Sequence, residues 1–423
     1  MQLHDNPDKS VWQSLAVRNI PADDEIEQRV LFIVDNVRRE GDAALLRYAR
    51  QFDGVTLSSL TLTDAERAEM AAKVDDKVAE AIVHAAENIR RFHAAQKPEI
   101  VDVETQPGVR CVQKAVPIQR AGIYVPGGSA PLFSTVLMLA IPAQVAGVNE
   151  VILCTPEGKN GIAPEIVFAA NLCGVHRIVR VGGAQAVAAM AYGTETVPRV
   201  DKIFGPGNRY VMKAKQLVSR DCSIDMPAGP SEVLVMADDS AHPDFVAADL
   251  LSQAEHGADS QAMLVCQTME FAEKVKDEIT RQAALLPRQF AVEGSLAHSH
   301  IIVLPHIDDQ IDFANLYASE HLIIAMKEAW KVAERITAAG SVFIGNWACE
   351  SAGDYASGTN HTLPTSGWAR SCSGVNLDSF MRKITYQELT ENGLRDLSGV
   401  IVTMADAEGL AAHANAVKIR LNS

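Results

Sequence analysis

The chain has 423 residues, of which 48% are hydrophobic and 22% charged, as is typical of a globular enzyme with a sizeable core. Its formal net charge of -15 argues against binding to nucleic acid or to an anionic membrane surface. No apolar run approaches the roughly 20 residues that a membrane span needs, and the N-terminus lacks the basic and apolar regions of a signal peptide.

Seven cysteines are scattered along the chain, and no two of them form a Cys-x-x-Cys pair. An odd number without paired spacing is not typical of a disulfide framework or of a thiolate zinc site. We therefore expect reduced thiols and a cytoplasmic protein.

The first part of the chain predicts an arm followed by helices. Residues 1–20, a mainly polar stretch with one tryptophan, Trp12, are interpreted as an N-terminal arm. Beyond them, apolar residues recur at steps of three to four, which predicts a helix; they are Ile26, Val30, Ile33 and Val37. Residues 64–96 are rich in alanine and charge and predict a long helix that ends before Pro98.

Residues 121–232 alternate between short apolar runs that end in glycine and helical patterns, four times over. This alternation predicts a parallel sheet with helices on both faces, in which ligands bind beyond the carboxyl ends of the strands. Three polar residues lie at those ends, namely Tyr124, Gln185 and Asn208. A Gly-x-Gly-x-x-Gly fingerprint is absent, and the nearest match, residues 205–210, lacks the third glycine. The glycine turns fit either a dinucleotide phosphate or plain tight connections.

Residues 233–380 repeat the pattern, with strands predicted at 233–236, 261–266, 299–304 and 341–344. We predict that 21–120 and 233–380 form one discontinuous α/β domain, into which 121–232 is inserted as a Rossmann-like domain. Residues 381–423 are predicted to form a helical C-terminal tail. The fold class is therefore α/β, with two similar doubly wound parallel-sheet domains, an N-terminal arm and a helical tail.

Three polar stretches carry side chains suited to metal binding and acid–base chemistry. Gln253 and His256 are three residues apart on a predicted helix, so they point the same way. Both can bind a metal of the zinc type, although glutamine is an uncommon ligand. The other two stretches are the Glu320 and His321 pair and the cluster 350–361. Each alone also fits a chance pattern or a solvated pair, and it is their joint occurrence that favours an active site.

These motifs resemble those of the histidinol dehydrogenase family, in order and along nearly the whole chain. The matching segments are 122–131, 182–185, 204–208, 225–231, 253–256, 320–321, 350–361 and 408–413. The resemblance implies a homodimer that oxidises L-histidinol to L-histidine through L-histidinaldehyde, the last step of histidine biosynthesis. It implies a four-electron oxidation with two hydride transfers to NAD, and one zinc ion per subunit.

The resemblance also assigns roles to individual residues. The zinc ligands that it implies are Gln253, His256, Asp354 and His413. The catalytic residues are Glu320 and His321, and the NAD contacts are Tyr124, Gln185 and Asn208. The implied substrate contacts are Ser231, Gln253, His256, His321, Asp354, Glu408 and His413.

The C-terminal tail is implied to cross the dimer, so that Glu408 and His413 complete the active site of the partner subunit. From the residues alone, His413 lies on an apolar helical face with Leu410, Ala414 and Val417, which also fits a packed core histidine. Both interpretations stay open from the sequence.

The chemistry can be divided between the two catalytic residues. His321 is suited to accept the alcohol proton, because an imidazole titrates near neutrality, and Glu320 is suited to activate a water molecule for attack on the aldehyde. A thiol route through Cys154 or Cys349 is an alternative, but neither has a neighbour in the sequence that activates a thiol. His361 either orients a ligand or makes a structural hydrogen bond.

Three other functions fit the same residues. Relatives of the family oxidise other small alcohols, such as sulfonated diols, with similar metal ligands. A zinc hydrolase would use the same ligands with Glu320 as its base. A non-catalytic nucleotide-binding protein would need neither Glu320 nor His321.

Overall fold

Two parallel sheets form the framework of the protein, and a third, antiparallel sheet lies beside them. The computed structural model describes residues 1–18, 24–127 and 131–422. Residues 19 and 20 of the predicted arm, and residues 128–130 of the glycine-rich segment, lie outside the described residues. Within the described ranges, none of the helices combines the length and apolarity needed to cross a lipid bilayer.

The N-terminal part of the chain consists mainly of helices. Its elements are β1 (Gln2–Asp5), α1 (Lys9–Leu15), α2 (Asp24–Glu40), α3 (Asp42–Tyr48), a π-helical turn (Ala49–Asp53), α4 (Asp64–Ala71), α5 (Asp76–Ala94), β2 (Val101–Gln106) and β3 (Val109–Pro117). The single helix predicted over 64–96 is wrong, since α4 and α5 are separate. Asp75 starts the second of them, because its side chain accepts the backbone N–H of Lys77 and caps α5.

The five-stranded sheet follows. Its elements are β4 (Arg120–Tyr124), α6 (Phe133–Ala146), β5 (Glu150–Cys154), α7 (Pro164–Leu172), β6 (Arg177–Val179), α8 (Gly183–Tyr192), β7 (Lys202–Phe204), α9 (Arg209–Val218) and β8 (Ser223–Ile224). All neighbouring strands are parallel, in the order β6-β5-β4-β7-β8. The strand order therefore reverses between β4 and β7, which is where doubly wound sheets bind ligands.

The six-stranded sheet is built in the same way. Its elements after β8 are β9 (Glu232–Ala237), α10 (Pro243–Ala254), β10 (Gln261–Cys266), α11 (Met269–Ala283), α12 (Gln289–Ala297), β11 (His300–Val303), α13 (Ile307–Tyr317), β12 (His321–Ala325), α14 (Ala329–Ala333), β13 (Ser341–Ile344) and α15 (Glu350–Tyr355). The order β1-β11-β10-β9-β12-β13 is parallel throughout. Apart from β1 it repeats the order of the first sheet, so the prediction of two similar doubly wound units is confirmed.

The C-terminal part adds two short 3-10 turns (Trp368–Arg370 and Leu377–Phe380), then β14 (Met381–Leu389), α16 (Glu391–Ala407) and α17 (Ala411–Leu421). Strand β14 pairs antiparallel with β3, which pairs antiparallel with β2. The helical end of the chain is confirmed from Glu391 onward, but the first nine residues of the predicted helical tail form this strand. Most of β14 is exposed in the single chain, so it lacks the alternation of apolar and polar residues that identifies a strand.

The apolar packing divides the chain differently from the predicted domain boundaries. Val30 of α2 packs in one cluster with Val187 of α8, and Ile89 of α5 packs with Leu137 of α6. Helices α2 and α5 thus cover the five-stranded sheet, although residues 21–120 are assigned above to the other domain. The predicted arm also differs, because β1 joins the six-stranded sheet and α1 packs beneath it. An amphipathic pattern specifies an apolar face, but not the sheet on which that face packs.

Candidate active site

An open cavity of about 530 Å³ lies between the two parallel sheets. The turns after β4 and β7 contribute Pro126 and residues 205–208, while the amino ends of β9 and β12 contribute Ser231 and His321. For the five-stranded sheet this is the carboxyl edge, where ligands are expected. For the six-stranded sheet it is the opposite edge. Polar groups from two different sheets therefore face the same cavity.

Glu320 and His321 both line this cavity at the point where β12 begins. They are only 6% and 4% exposed. Ala318 follows the last residue of helix α13, and its left-handed φ of 53° turns the chain towards β12. Along a regular strand, neighbouring side chains would point to opposite faces. Because Glu320 precedes the strand, both side chains face the same cavity, as the proposed chemistry requires.

The His321 ring lies among three carboxylates. Its Nδ1 is 3.7 Å from Glu320 Oε2 and 3.9 Å from Glu350 Oε1, and its Nε2 is 3.5 Å from Asp354 Oδ1. Burial alone would lower the pKa of His321, but the negative charges of Glu320 and Glu350 outweigh it and raise the pKa to about 10. Burial raises the pKa of Glu320 and of Glu350 to about 8 each. This concentration of carboxylates is an environment suited to a cation.

Next to His321 lies a group of side chains that fits a divalent cation. Ligand atoms of His256, Glu350 and Asp354 lie within 4.8 Å of one another. Gln253 is near the end of α10, and His256 lies just beyond that end, not on the predicted helix. Gln253 is fully buried, and neither atom of its amide has a hydrogen-bond partner among the residues that the structure describes. A buried amide without a partner is costly, so this amide is available to bind a ligand. Three of the four expected metal ligands, Gln253, His256 and Asp354, therefore line the same cavity.

Glu350 was not singled out from the sequence as a site residue, although it begins the polar cluster 350–361. It lies four residues before Asp354 on α15, so both side chains project from one face of that helix. Its Oε2 accepts a hydrogen bond of 3.2 Å from Ser252 Oγ, while Oε1 has no hydrogen-bond partner in the described part of the chain. The spacing of four residues from Asp354 is the signal in the sequence by which this carboxylate could have been found.

The fourth expected metal ligand, His413, does not reach the cavity of its own chain. It is exposed on α17, and Glu408 is exposed at the end of α16; neither is among the described lining residues. On α17, Ala414 and Val417 are buried while His413 is not. The interpretation of His413 as a packed core histidine is therefore wrong for the single chain.

The three expected NAD contacts lie at the carboxyl edge of the five-stranded sheet. Asn208 is exposed and lines the cavity, and its Oδ1 caps α9 by accepting two backbone N–H groups at 3.1 and 3.2 Å. Tyr124 and Gln185 are buried and are not among the described lining residues. The hydroxyl of Tyr124 instead accepts the N–H of Gly183 at 3.1 Å. In this structure Asn208 is thus the one of the three that faces the cavity directly.

A buried ion pair supports the cavity wall beside Glu320. The carboxylate of Glu232 pairs with Arg18, whose Nε donates to Oε2 at 3.0 Å, and its other oxygen accepts the N–H of Ser366. The Arg18 guanidinium also lies 3.8 Å from the centre of the Tyr317 ring. The backbone N–H of Glu232 donates to Glu320 Oε2 at 2.9 Å. Glu232 therefore connects Arg18 of the N-terminal arm to the Glu320 carboxylate.

The sequence is similar to those of known proteins over nearly its full length. A profile of the family described as histidinol dehydrogenase matches residues 17–421. The chain belongs to the histidinol dehydrogenase family. It is 53% identical over 425 residues to histidinol dehydrogenase of Bacteroides thetaiotaomicron, covering 100% of this chain and 99% of that protein. It is 51% identical over 407 residues to histidinol dehydrogenase of Salmonella typhimurium, covering 96% and 93%.

The fold agrees with this membership. A crystal structure of histidinol dehydrogenase from Elizabethkingia anophelis aligns with a TM-score of 0.98 at 49% identity, covering 100% of this chain and 98% of that one. Histidinol dehydrogenases are oxidoreductases that act on an alcohol and its aldehyde, and this protein is such an enzyme. The alternatives of a zinc hydrolase and of a non-catalytic nucleotide-binding protein therefore do not apply.

Within the histidinol dehydrogenase site, His361 connects the two units. Its Nδ1 lies 2.9 Å from the backbone oxygen of Asp354, and its Nε2 lies 3.2 Å from Thr135 Oγ1 on α6. It also lines the cavity. Both ring nitrogens are thus engaged with the protein, which favours the structural hydrogen bond over direct ligand binding.

We expect that the cysteines are dispensable for the chemistry of this histidinol dehydrogenase family member. Cys154 is buried in β5, and burial raises its pKa to about 12, so it holds almost no thiolate at neutral pH. Cys349 is exposed and is not among the described lining residues. Cys154→Ala and Cys349→Ala should each keep turnover within a few fold in an NADH-forming assay. A drop of about a thousandfold in a folded Cys349→Ala protein would support a thiol intermediate instead.

Proposed function

We propose that the protein oxidises L-histidinol to L-histidine through L-histidinaldehyde, with one zinc ion per active site and two NAD molecules per turnover. The single observation that carries the proposal is that Glu320 and His321 face the same cavity as the group formed by Gln253, His256 and Asp354. The family membership supports the reaction class, and the printed names of the relatives support histidinol as the substrate. The cytoplasmic location expected from seven unpaired thiols stays part of the proposal.

The residues at this site fit zinc. Gln253, His256 and Asp354 offer an amide oxygen, an imidazole nitrogen and a carboxylate, a set of donors that zinc accepts and for which manganese is a reasonable substitute. The amide of Gln253, buried without a hydrogen-bond partner in the described chain, is the observation that supports a ligand there. Glu350 adds a second carboxylate within reach of the same point.

The residues at the opposite wall fit a dinucleotide. The turns at the carboxyl edge approach one another closely, since a Cβ on Gly182 would lie 2.6 Å from Pro156 Cβ. Helix α9 begins at this edge, behind Asn208, and the N-terminus of a helix favours phosphate oxygens. Tyr124 and Gln185 lie behind these turns, and we propose that they take part in binding NAD by supporting or contacting it.

The first oxidation requires a base for the alcohol proton. When bound, zinc supplies a positive charge that polarises the substrate and lowers the pKa of the neighbouring His321. NAD, when bound, accepts one hydride in each oxidation step. We propose that His321 accepts the proton of the alcohol O–H while the adjacent carbon loses its hydride, which leaves the aldehyde. Ser231, on the wall of the same cavity, is proposed to contact the substrate.

The second oxidation requires water. We propose that Glu320 removes a proton from a water molecule that adds to the aldehyde carbon, which gives the hydrate. The hydrate then loses a hydride and a proton and becomes the carboxylic acid. Glu320 is held for this role by the N–H of Glu232, at 2.9 Å from its Oε2. Because burial raises the pKa of Glu320, its carboxylate is a stronger base than an exposed one.

We further propose a homodimer in which Glu408 and His413 act in the active site of the partner subunit. Helices α16 and α17 pack on each other and α16 contacts β14, and both side chains are exposed. The tail also exposes large apolar side chains, with Val400 57%, Met404 60% and Ile419 59% exposed. An exposed apolar surface of this kind is typical of contact with another protein chain.

Mixing two inactive variants is expected to restore activity if the tail acts in the partner. His413→Ala lacks a tail residue and His321→Ala lacks a residue of the main body. In a mixed dimer one site carries both changes and the other carries neither, so activity should return to at most about half per mixed dimer. The measurement is NADH formation after the subunits have been allowed to exchange.

A matched control uses two changes in the same part of the chain. His321→Ala mixed with Glu320→Gln leaves one change in every site, so the mixture should form NADH no faster than the two variants do separately. If the mixture with His413→Ala is equally inactive, although exchange is demonstrated with differently tagged subunits, the tail acts within its own subunit.

The experiment that tests the proposed function is an NADH-forming assay of the purified protein with L-histidinol, L-histidinaldehyde and a panel of small diols. We expect two NADH per histidinol, with L-histidine as the product. A sulfonated diol that reacts with a higher kcat/KM than histidinol would show that the substrate, but not the reaction class, is assigned wrongly.

A further inference from the structure

A second buried ion pair lies in another part of the cavity wall, and both of its residues are among those that line the cavity. Lys215 Nζ, on α9, is 2.5 Å from Asp225 Oδ1, just beyond β8. Their side chains are only 2% and 1% exposed. Replacing a buried ion pair by apolar residues is often neutral or stabilising, so stability alone does not explain such a pair. The hydrogen bonds that the two side chains make to the backbone indicate their role.

Both polar backbone groups of Gly205 are bound by this ion pair. The N–H of Gly205 donates to Asp225 Oδ2 at 2.8 Å, and Lys215 Nζ donates to the oxygen of Gly205 at 2.9 Å. The N–H of Met226 donates to Asp225 Oδ1 at 2.7 Å. The pair therefore fixes one peptide segment on two sides, with hydrogen bonds that involve a charged partner and are stronger than neutral ones.

Gly205 is the first residue of the turn that ends at Asn208. Its φ is 122°, and a Cβ at this position would lie 2.1 Å from the backbone oxygen of Tyr124. No side chain can be accommodated there, so the turn lies directly against the end of β4. Residues 205–208 all line the cavity. The position of this wall therefore depends on how Gly205 is held.

We propose that Lys215 and Asp225 are positioning residues for the nucleotide, which hold the turn 205–208 in the place where it receives NAD. The inference rests on the proposed function, because it takes the nucleotide to bind at this wall. It assigns no contact between the ion pair and the reacting atoms. Histidinol binds at the opposite wall in this arrangement, so loss of the pair should affect the two ligands unequally.

The test compares NADH affinity, measured by fluorescence titration, in variants of the full-length protein with zinc. Lys215→Met combined with Asp225→Asn removes both charges but leaves an amide oxygen to accept the N–H of Gly205, so the chain should still fold. We expect the Kd for NADH to rise about tenfold, while the KM for histidinol stays within about twofold. Equal weakening of both ligands would overturn the inference.

Two further variants separate the possible causes. Arg67→Met removes another buried cation, on α4 and outside the described cavity lining, and should lower the unfolding temperature without changing the Kd for NADH. If Arg67→Met weakens NADH binding as much as the pair variant, the effect is general destabilisation and the inference is wrong.

Asn208→Ala tests the nucleotide site itself. If it weakens NADH binding while the pair variant does not, the site stands and the positioning role fails; if neither weakens it, both fail.

Discussion

Replacing His321 by asparagine is expected to slow the oxidation of histidinol by roughly 10²–10⁴-fold, the usual contribution of a general base. Asparagine keeps a polar side chain of similar size but cannot accept a proton at neutral pH. The ring of His321 faces Glu320, Glu350 and Asp354 at 3.5 to 3.9 Å, so no other imidazole is as closely surrounded by carboxylates in the described site. The measurement is the single-turnover rate of NADH formation with zinc-loaded protein.

Glu320→Gln should separate the two half-reactions. Glutamine still accepts the N–H of Glu232 but does not activate water, so oxidation of L-histidinaldehyde should fall more than oxidation of histidinol. Each half-reaction is measured by starting from its own substrate. Equal losses with both substrates in both variants would show that the division between Glu320 and His321 is wrong.

Matched controls exist on the surface. His84→Asn and Glu334→Gln make the same chemical changes at exposed positions outside the described cavity lining. Both should keep wild-type rates. A loss in either would show that such changes act through stability rather than through the chemistry.

Removal of the metal is expected to abolish turnover, and zinc or manganese should restore it. The expectation follows from the donor set, which contains no thiolate and includes one weak amide ligand, so a chelator can compete for the ion. The unfolding temperature should fall as well, because a ligand that binds only the folded protein stabilises it. Turnover and the unfolding temperature are measured before and after chelation, with the metal content determined at each step.

Asp354→Asn tests which residues hold the ion. It should reduce both metal content and activity, whereas Asp277→Asn, the same change at an exposed position on α11, should reduce neither. Full activity in protein shown to contain no metal would refute the site assignment, whatever the behaviour of the variants.

The sequence predicted the parallel framework well because buried strands are continuous apolar runs. The bounds of β10 and β13 agree with the predicted strands 261–266 and 341–344. The strand β12 was missed, since its apolar part, residues 322–325, is short and follows two polar residues. Strand β1 has only four residues, too few for periodicity to identify. Strands such as β1 and β12 are determined by pairing with segments that are distant in the sequence, and a local pattern does not contain this information.

The candidate site was predicted in part. The spacing of three between Gln253 and His256 is a local property and needs no tertiary structure to be recognised, although His256 lies just beyond the end of α10 and not on the helix. The contacts of His321 with Glu350 and Asp354 depend on how α15 packs beside β12, which no local pattern specifies. His413 could not be placed from local pattern at all, because its surroundings in the single chain are solvent.

The connection from Arg18 to Glu320 has a practical consequence for protein engineering. Deletions of the first 18 residues, or short fusions that replace them, would remove the cation that balances Glu232 and would leave that carboxylate buried without its partner. The same deletion would remove β1 and leave the edge of β11 open for pairing with other chains. Purification tags are therefore best joined to the intact N-terminus through a flexible spacer, and the arm should be kept when minimal or fused versions of the enzyme are made.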